Sequence, residues 1–183
     1  MIQRIGETAD VSRDEAVKAL TLLVRDKLYV QNVGTLGPEP RLLEMPQRPV
    51  NEELVALLGL DFDESVATVT AAHLADWGMT VDEAWAFARD NLYRKSARDF
   101  VRLSEGVFES PFRDSLDCSR LLMPDLLQHL PLKGRPVVGV PGREAVFVTG
   151  EDDPDGIRLV AKLVREALTV VRPMTGTLFV LHD

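Results

Sequence analysis

The chain has 183 residues, 45% of them hydrophobic and 27% charged, a balance that excludes disorder and suffices to close a core. Twenty-nine acidic against 21 basic residues leave a formal charge of −8, a field that repels polyphosphate and argues against nucleic acid as a partner. Cys118 stands alone and forms no intrachain disulfide, Arg4, Glu7 and Asp10 occupy the place of an apolar leader, and no apolar stretch reaches the roughly 18 to 20 residues of a membrane helix; a cytoplasmic protein without membrane contact is expected.

Ser12 and Glu15 have the spacing of a capping box, and Ala16, Val17, Leu20, Leu23 and Val24 recur at helical period, predicting a first helix to about Asp26. Between Asn32 and Pro49, Gly34, Gly37, Pro38, Pro40, Pro46 and Pro49 predict a loop with room only for a short extended piece at Arg41 to Met45. Leu54 to Leu58 could be a short helix or a buried strand. Strand is the reading adopted for 51–60, with the β-branched run Ser65 to Thr70 as its hairpin partner.

A helical turn from Ala71 to Trp77 closes at Gly78, and Thr80 with Glu83 opens a helix through about Lys95 whose buried stripe is Val81, Ala84, Trp85, Ala88 and Leu92. Phe100 to Leu103 and Val107 to Phe112 flank Ser104-Glu105-Gly106, the signature of a bulged hairpin. Asp117 is expected to cap a helix that Pro124 bends or divides. Val137 to Val140 and Ala145 to Thr149 surround Val140-Pro141-Gly142-Arg143, read as a type II turn. Asp153 and Pro154 start a helix carrying Ile157, Val160, Ala161, Val164, Ala167, Leu168 and Val171 on one face, and Thr175 to His182 is the last strand.

The fold class expected is α+β: an antiparallel or mixed sheet with helices mainly on one face. From Val107 onward the order is the ferredoxin-like β-α-β-β-α-β. Residues 1–50 would be an N-terminal helix and its Pro/Gly-rich connection, 51–183 the α+β core, and the whole one compact domain.

Asp14-Glu15-Ala16, Trp77, Asn91-Leu92, the segment Asp114 to Leu122, Val140-Pro141, Pro173-Met174-Thr175 and Leu178-Phe179 together resemble the YtpQ-like family of bacterial proteins, a domain of unknown function. The Asp-x-x-Asp-x-Ser-Arg-hydrophobic-Leu stretch is its most specific part. This chain departs from the family in carrying Cys118 where Ala is usual and in being shorter, chiefly at the amino terminus. The resemblance implies a bacterial cytoplasmic protein and no particular chemistry.

Asp114, Asp117, Ser119 and Arg120, with Arg113 beside them, could gather an anion at a helix start; the competing reading is a self-neutralising scaffold in which Asp117 caps and Arg120 pairs with Asp114 or Asp117. Arg158, Lys162, Arg165 and Arg172 fall near one face of the last long helix and could receive an acidic protein, or simply be a solvated face. Cys118 reads as a small core residue rather than a reactive thiol. His73, His129 and His182 are too dispersed for a metal site, and Glu151, Asp152, Asp153 and Asp155 lack calcium-loop spacing. Trp77, Trp85 and Asn91 read as packing and backbone-satisfying residues. No catalytic residue, metal or cofactor is expected. A non-enzymatic interaction or accessory protein is the preferred class, with an unknown protein partner or self-association, and a binder or enzyme built on Asp114 to Arg120 is the alternative.

Overall fold

The computed structural model describes residues 11–33, 44–62, 65–169 and 173–182. Among these the protein is α+β with two sheets whose strand pairings are all antiparallel. The chain separates into two compact units, Met1–Lys95 and Ser96–Asp183. The division therefore falls between residues 95 and 96 and not near residue 50, which strand pairing spans.

In the first unit the capping box forms as expected: Ser12 accepts from the Glu15 amide, and Glu15 accepts from the Ser12 N–H at 3.0 Å. The helix it opens, α1 (Arg13–Ala19), stops far short of Asp26. Leu20–Asp26 is instead strand β1, paired along its whole length with β3 (Leu54–Phe62) from Leu20↔Leu60 to Asp26↔Leu54. The helical period of this run is overridden because every residue from Leu20 to Arg25 is buried, and a run buried on both faces carries no periodicity to distinguish strand from helix. A short helix, α2 (Lys27–Val33), follows.

The expected extended piece at Arg41 to Met45 lies partly outside the described residues. A three-residue strand, β2 (Gln47–Pro49), occurs just after it and pairs with the first half of β3. Its one proline, Pro49, stands on an edge strand, where a missing donor costs no ladder bond, and Pro46 just precedes that strand. The other half of β3 pairs with β4 (Ser65–Thr68), the hairpin expected from the β-branched run.

Next come α3 (Ala71–Asp76) and α4 (Val81–Arg94). Both start in capping boxes, Thr80 with Glu83 as expected and Thr70 with His73, an imidazole in the role usually filled by Glu or Gln. Gly78 closes α3 at φ 59. α4 packs on β1 and β3, burying Ala84, Trp85, Ala88 and Leu92; Val81, expected in the stripe, is exposed.

The second unit begins with the hairpin β5 (Val101–Ser104) and β6 (Val107–Glu109), turning at Gly106 with φ 70 and shifting register after Arg102. A 3-10 helix, Asp117–Leu122, and a separate one-turn helix, α5 (Asp125–Gln128), stand where one bent helix was expected, with Pro124 at the break. β7 (Pro136–Gly142) and β8 (Ala145–Gly150) form the next hairpin. Its turn is not Pro141-Gly142: Gly142 pairs with Ala145, so the connection is Arg143-Glu144, and Pro141 is in the strand. α6 (Pro154–Ala167) starts as read, with Asp153 accepting from the Gly156 amide at 3.1 Å, and β9 (Leu178–Val180) ends the described fold.

The five strands run in the order β5-β6-β8-β7-β9. A ferredoxin-like unit sets its first and third strands side by side and antiparallel, as β6 and β8 are here, but its fourth strand lies beside the first. Here β9 joins β7 and β5 takes the place beside β6, so the order is not ferredoxin-like. Val160 and Val164 of α6 pack with Val107 and Phe147. The helix lies so close to the sheet that a Cβ on Gly139 would sit 2.4 Å from Val164 Cγ2, a distance only glycine permits.

Candidate functional site

The Asp114 to Arg120 segment leaves the end of β6 through Ser110, whose amide donates to Val146 O at 2.9 Å. Arg113 takes up φ 49, a left-handed conformation uncommon outside glycine. That twist turns its amide onto Asp117 Oδ2 at 3.1 Å. Asp114 closes the next turn on itself, accepting the Leu116 amide on Oδ1 at 3.0 Å and the Asp117 amide on its carbonyl at 3.1 Å.

Asp117 is wholly buried, but it caps no helix. The residue in the cap position is Leu116, without a side-chain bond, and the carboxylate faces back toward the strand end instead. A 3-10 start whose N-terminal amides already meet loop carbonyls offers it no orphan donor. Its partners are the Ser110 hydroxyl, which donates to Oδ1, and the Arg113 amide. Burial pushes its pKa above the usual carboxylate range, against the pull of the Ser110 hydroxyl and the Arg120 guanidinium.

Arg120 is 2% exposed, and each of its three nitrogens has a side-chain acceptor. Nε donates to Ser96 Oγ at 3.0 Å, while Nη1 and Nη2 reach Asp114 Oδ1 and Oδ2 at 2.8 and 2.9 Å, the bidentate fork a guanidinium favours. Its Cζ lies 3.5 Å from the centre of the Phe112 ring, and Asp117 Oδ1 is 3.8 Å from Nη1. Ser119 and Cys118 are fully buried beside it, and the Cys118 amide donates to Arg143 O at 3.2 Å. The geometry brings all four residues of the cluster together, in a closed network. Such a network can hold a loop against a sheet edge and has its charges already satisfied.

The basic strip is a different arrangement. Arg158, Lys162 and Arg165 are exposed on α6, and Arg172 lies outside the described residues. Arg158 pairs with Asp155 and Lys162 approaches Glu166 at 3.9 Å, so acidic neighbours on the same helix offset part of its charge.

Asn91 donates to Val17 O and Leu20 O, both at 2.8 Å, tying α4 to the junction of α1 and β1. Trp77 donates to Val11 O at 2.8 Å and stacks with His73. Trp85 lies under Arg48, whose Cζ is 4.5 Å from a ring centre and whose Nη2 pairs with Asp82 at 2.7 Å. They wall an open depression of about 310 Å³ with Glu44, Met45, Ala71 and Val81.

Two groupings were not foreseen. Arg135 meets both oxygens of Glu151 at 2.7 Å and the Nδ1 of His182 at 2.8 Å, and it holds the Glu151 carboxyl down at about 2. Its members are dispersed along the chain and no spacing announces them. Arg25 is buried in β1, where its Nη1 donates to the Val24 carbonyl and its guanidinium lies near the Tyr29 ring. Its signal was present, a cation directly after the mainly apolar run Leu20 to Val24, but a helix reading sets it off the buried stripe.

Among the described residues no group of three or more His, Cys, Asp or Glu side chains could hold a metal ion, and no helix is long and apolar enough to cross a membrane. Comparison with family models, curated proteins and solved structures yields no match.

Proposed function

We propose that the chain is an interaction or accessory domain of a bacterial cytoplasmic protein, of YtpQ-like type, which works by binding another protein and not by catalysis. The observation that carries this reading is the closure of the Asp114 to Arg120 network: its guanidinium is forked onto Asp114, and its buried carboxylate is bonded to Ser110 and Arg113. Groups committed to one another in this way position no substrate. The exposed cations Arg158, Lys162 and Arg165 of α6 are the face for an acidic partner on a molecule that is otherwise acidic overall and repels nucleic acid.

The test is capture from native bacterial lysate on wild-type protein and on the double variant Arg158→Glu/Arg165→Glu. The expected result is a stoichiometric protein retained by the wild type and lost by the variant at unchanged melting temperature. A retained metabolite that disappears on Asp114→Ala substitution would replace this reading with the binder or enzyme.

Self-association is the second reading. It is favoured by Val101 and Leu103 on the edge strand β5 and Val180 on the edge strand β9, large apolar side chains 49%, 42% and 38% exposed. A concentration-dependent solution mass would support it, and a monomer at all concentrations would remove it.

A further inference from the structure

We propose that Arg25 anchors a binding site for a small oxyanion, a phosphate or a carboxylate, on one face of the first sheet. Arg25 is 1% exposed, and its Nε has no hydrogen-bond partner; its Nη1 donates to the carbonyl of its own neighbour Val24 at 2.7 Å. Among the described residues no carboxylate pairs with it. The adjacent Asp26 is on the opposite face by strand alternation, and its Oδ1 takes the Tyr29 amide at 2.8 Å. Asp61 pairs with Lys95.

An arginine keeps its charge at any depth, so it cannot relieve its burial by losing a proton, and a buried cation without an anion is strongly disfavoured. The observed burial is thus consistent with a counter-anion of small size.

The surroundings are those of an oxyanion site. Tyr29 lays its ring 5.8 Å from the Arg25 Cζ and joins its hydroxyl to Thr68 Oγ1 at 3.1 Å. Thr68 pairs with Gly59, and Gly59 with Thr21, so both threonines share the Arg25 face of the sheet. Thr21 is 1% exposed, and its Oγ1 is a second buried polar atom without a partner. Tyr29 thus bridges the guanidinium and Thr68, while Leu23, which closes over Gly59, stands between Arg25 and Thr21 on the same face. Hydroxyl donors and a planar cation are the groups that recognise oxyanions. Enclosure to 1% suits a small molecule better than a protein side.

The test compares thermal unfolding of the full chain in inorganic phosphate, in acetate and in chloride at equal ionic strength. The midpoint should climb with phosphate or acetate concentration and saturate, the more effective of the two naming the class. Arg25→Met should weaken the response about tenfold or more. Arg25→Lys should retain part of it, and Tyr29→Phe, which leaves the charge in place, should reduce it. A wild-type midpoint indifferent to both anions overturns the proposal, as does an Arg25→Met protein that responds like the wild type.

Discussion

Among the described residues each unit buries one arginine almost completely. Arg120 in the second has a bidentate carboxylate, a serine hydroxyl and an aromatic face, whereas Arg25 in the first has a neighbouring carbonyl, a more distant ring and an orphaned Nε. The same side chain, equally excluded from water, therefore stands for opposite energetics. A guanidinium that exchanges water for matched acceptors can hold structure together, and one that does not is a standing cost until something else supplies the acceptor.

The sharpest way to break this contrast is to make the same substitution at both places. Arg120→Met should cost about 3 to 5 kcal/mol, because it strands the buried carboxylate of Asp117 and empties the fork on Asp114. Arg25→Met in chloride should cost nothing and instead add about 1 to 4 kcal/mol, since it replaces an uncompensated cation by an apolar chain of similar length. Denaturant unfolding of both variants measures this, and a loss of stability at Arg25 equal to that at Arg120 would erase the distinction.

Ser110→Ala tests how fully the second network is satisfied. Removing a hydroxyl that donates to a buried carboxylate should cost about 1 to 3 kcal/mol, and it should raise the Asp117 pKa further. Asp117, with its pKa already raised in the fold, adds stability that is complete below the ordinary carboxylate value and lost as pH climbs through its own. The variant should shift that loss to higher pH.

Two smaller effects compare the units by titration. Burial lowers the pKa of His73, whose Nδ1 accepts the Thr70 amide at 3.1 Å; a protonated ring cannot accept there. Its contribution is therefore present above the ordinary imidazole value of about 6.5 and lost as pH falls through the lowered one. His73→Gln, which keeps the capping box, should flatten the stability profile of the wild type in that range. Glu151, held down at about 2 by Arg135, contributes stability above its ordinary 4.5 that disappears as pH drops toward 2. Arg135→Gln should remove that slope, and an unchanged acid-unfolding profile would show the pair to be idle.

Legibility in the sequence followed the range of the interaction. The Ser12, Thr80 and Asp153 caps, the Gly106 turn and the β3–β4 hairpin each depend on residues a few positions apart, and all were read correctly. The Thr70 cap was missed because histidine is an unusual third member. Pro141-Gly142 misled because the register of β8 against β7 sets the turn, and a local dipeptide does not. In the candidate cluster, Asp114 and Arg120 are six positions apart and their pairing was anticipated. Ser96 and Ser110, which complete the shell, come from outside the segment and left no local mark.

What the amino-acid order settled alone was the α+β class and the places where the backbone must start, stop or reverse, since capping and turn energies are spent within a few residues. Whether Leu20–Asp26 became strand or helix, where β9 joined the sheet, and which of two arginines met its acceptors were decided only in three dimensions. Those outcomes depend on ladder bonds and charge partners from remote parts of the chain.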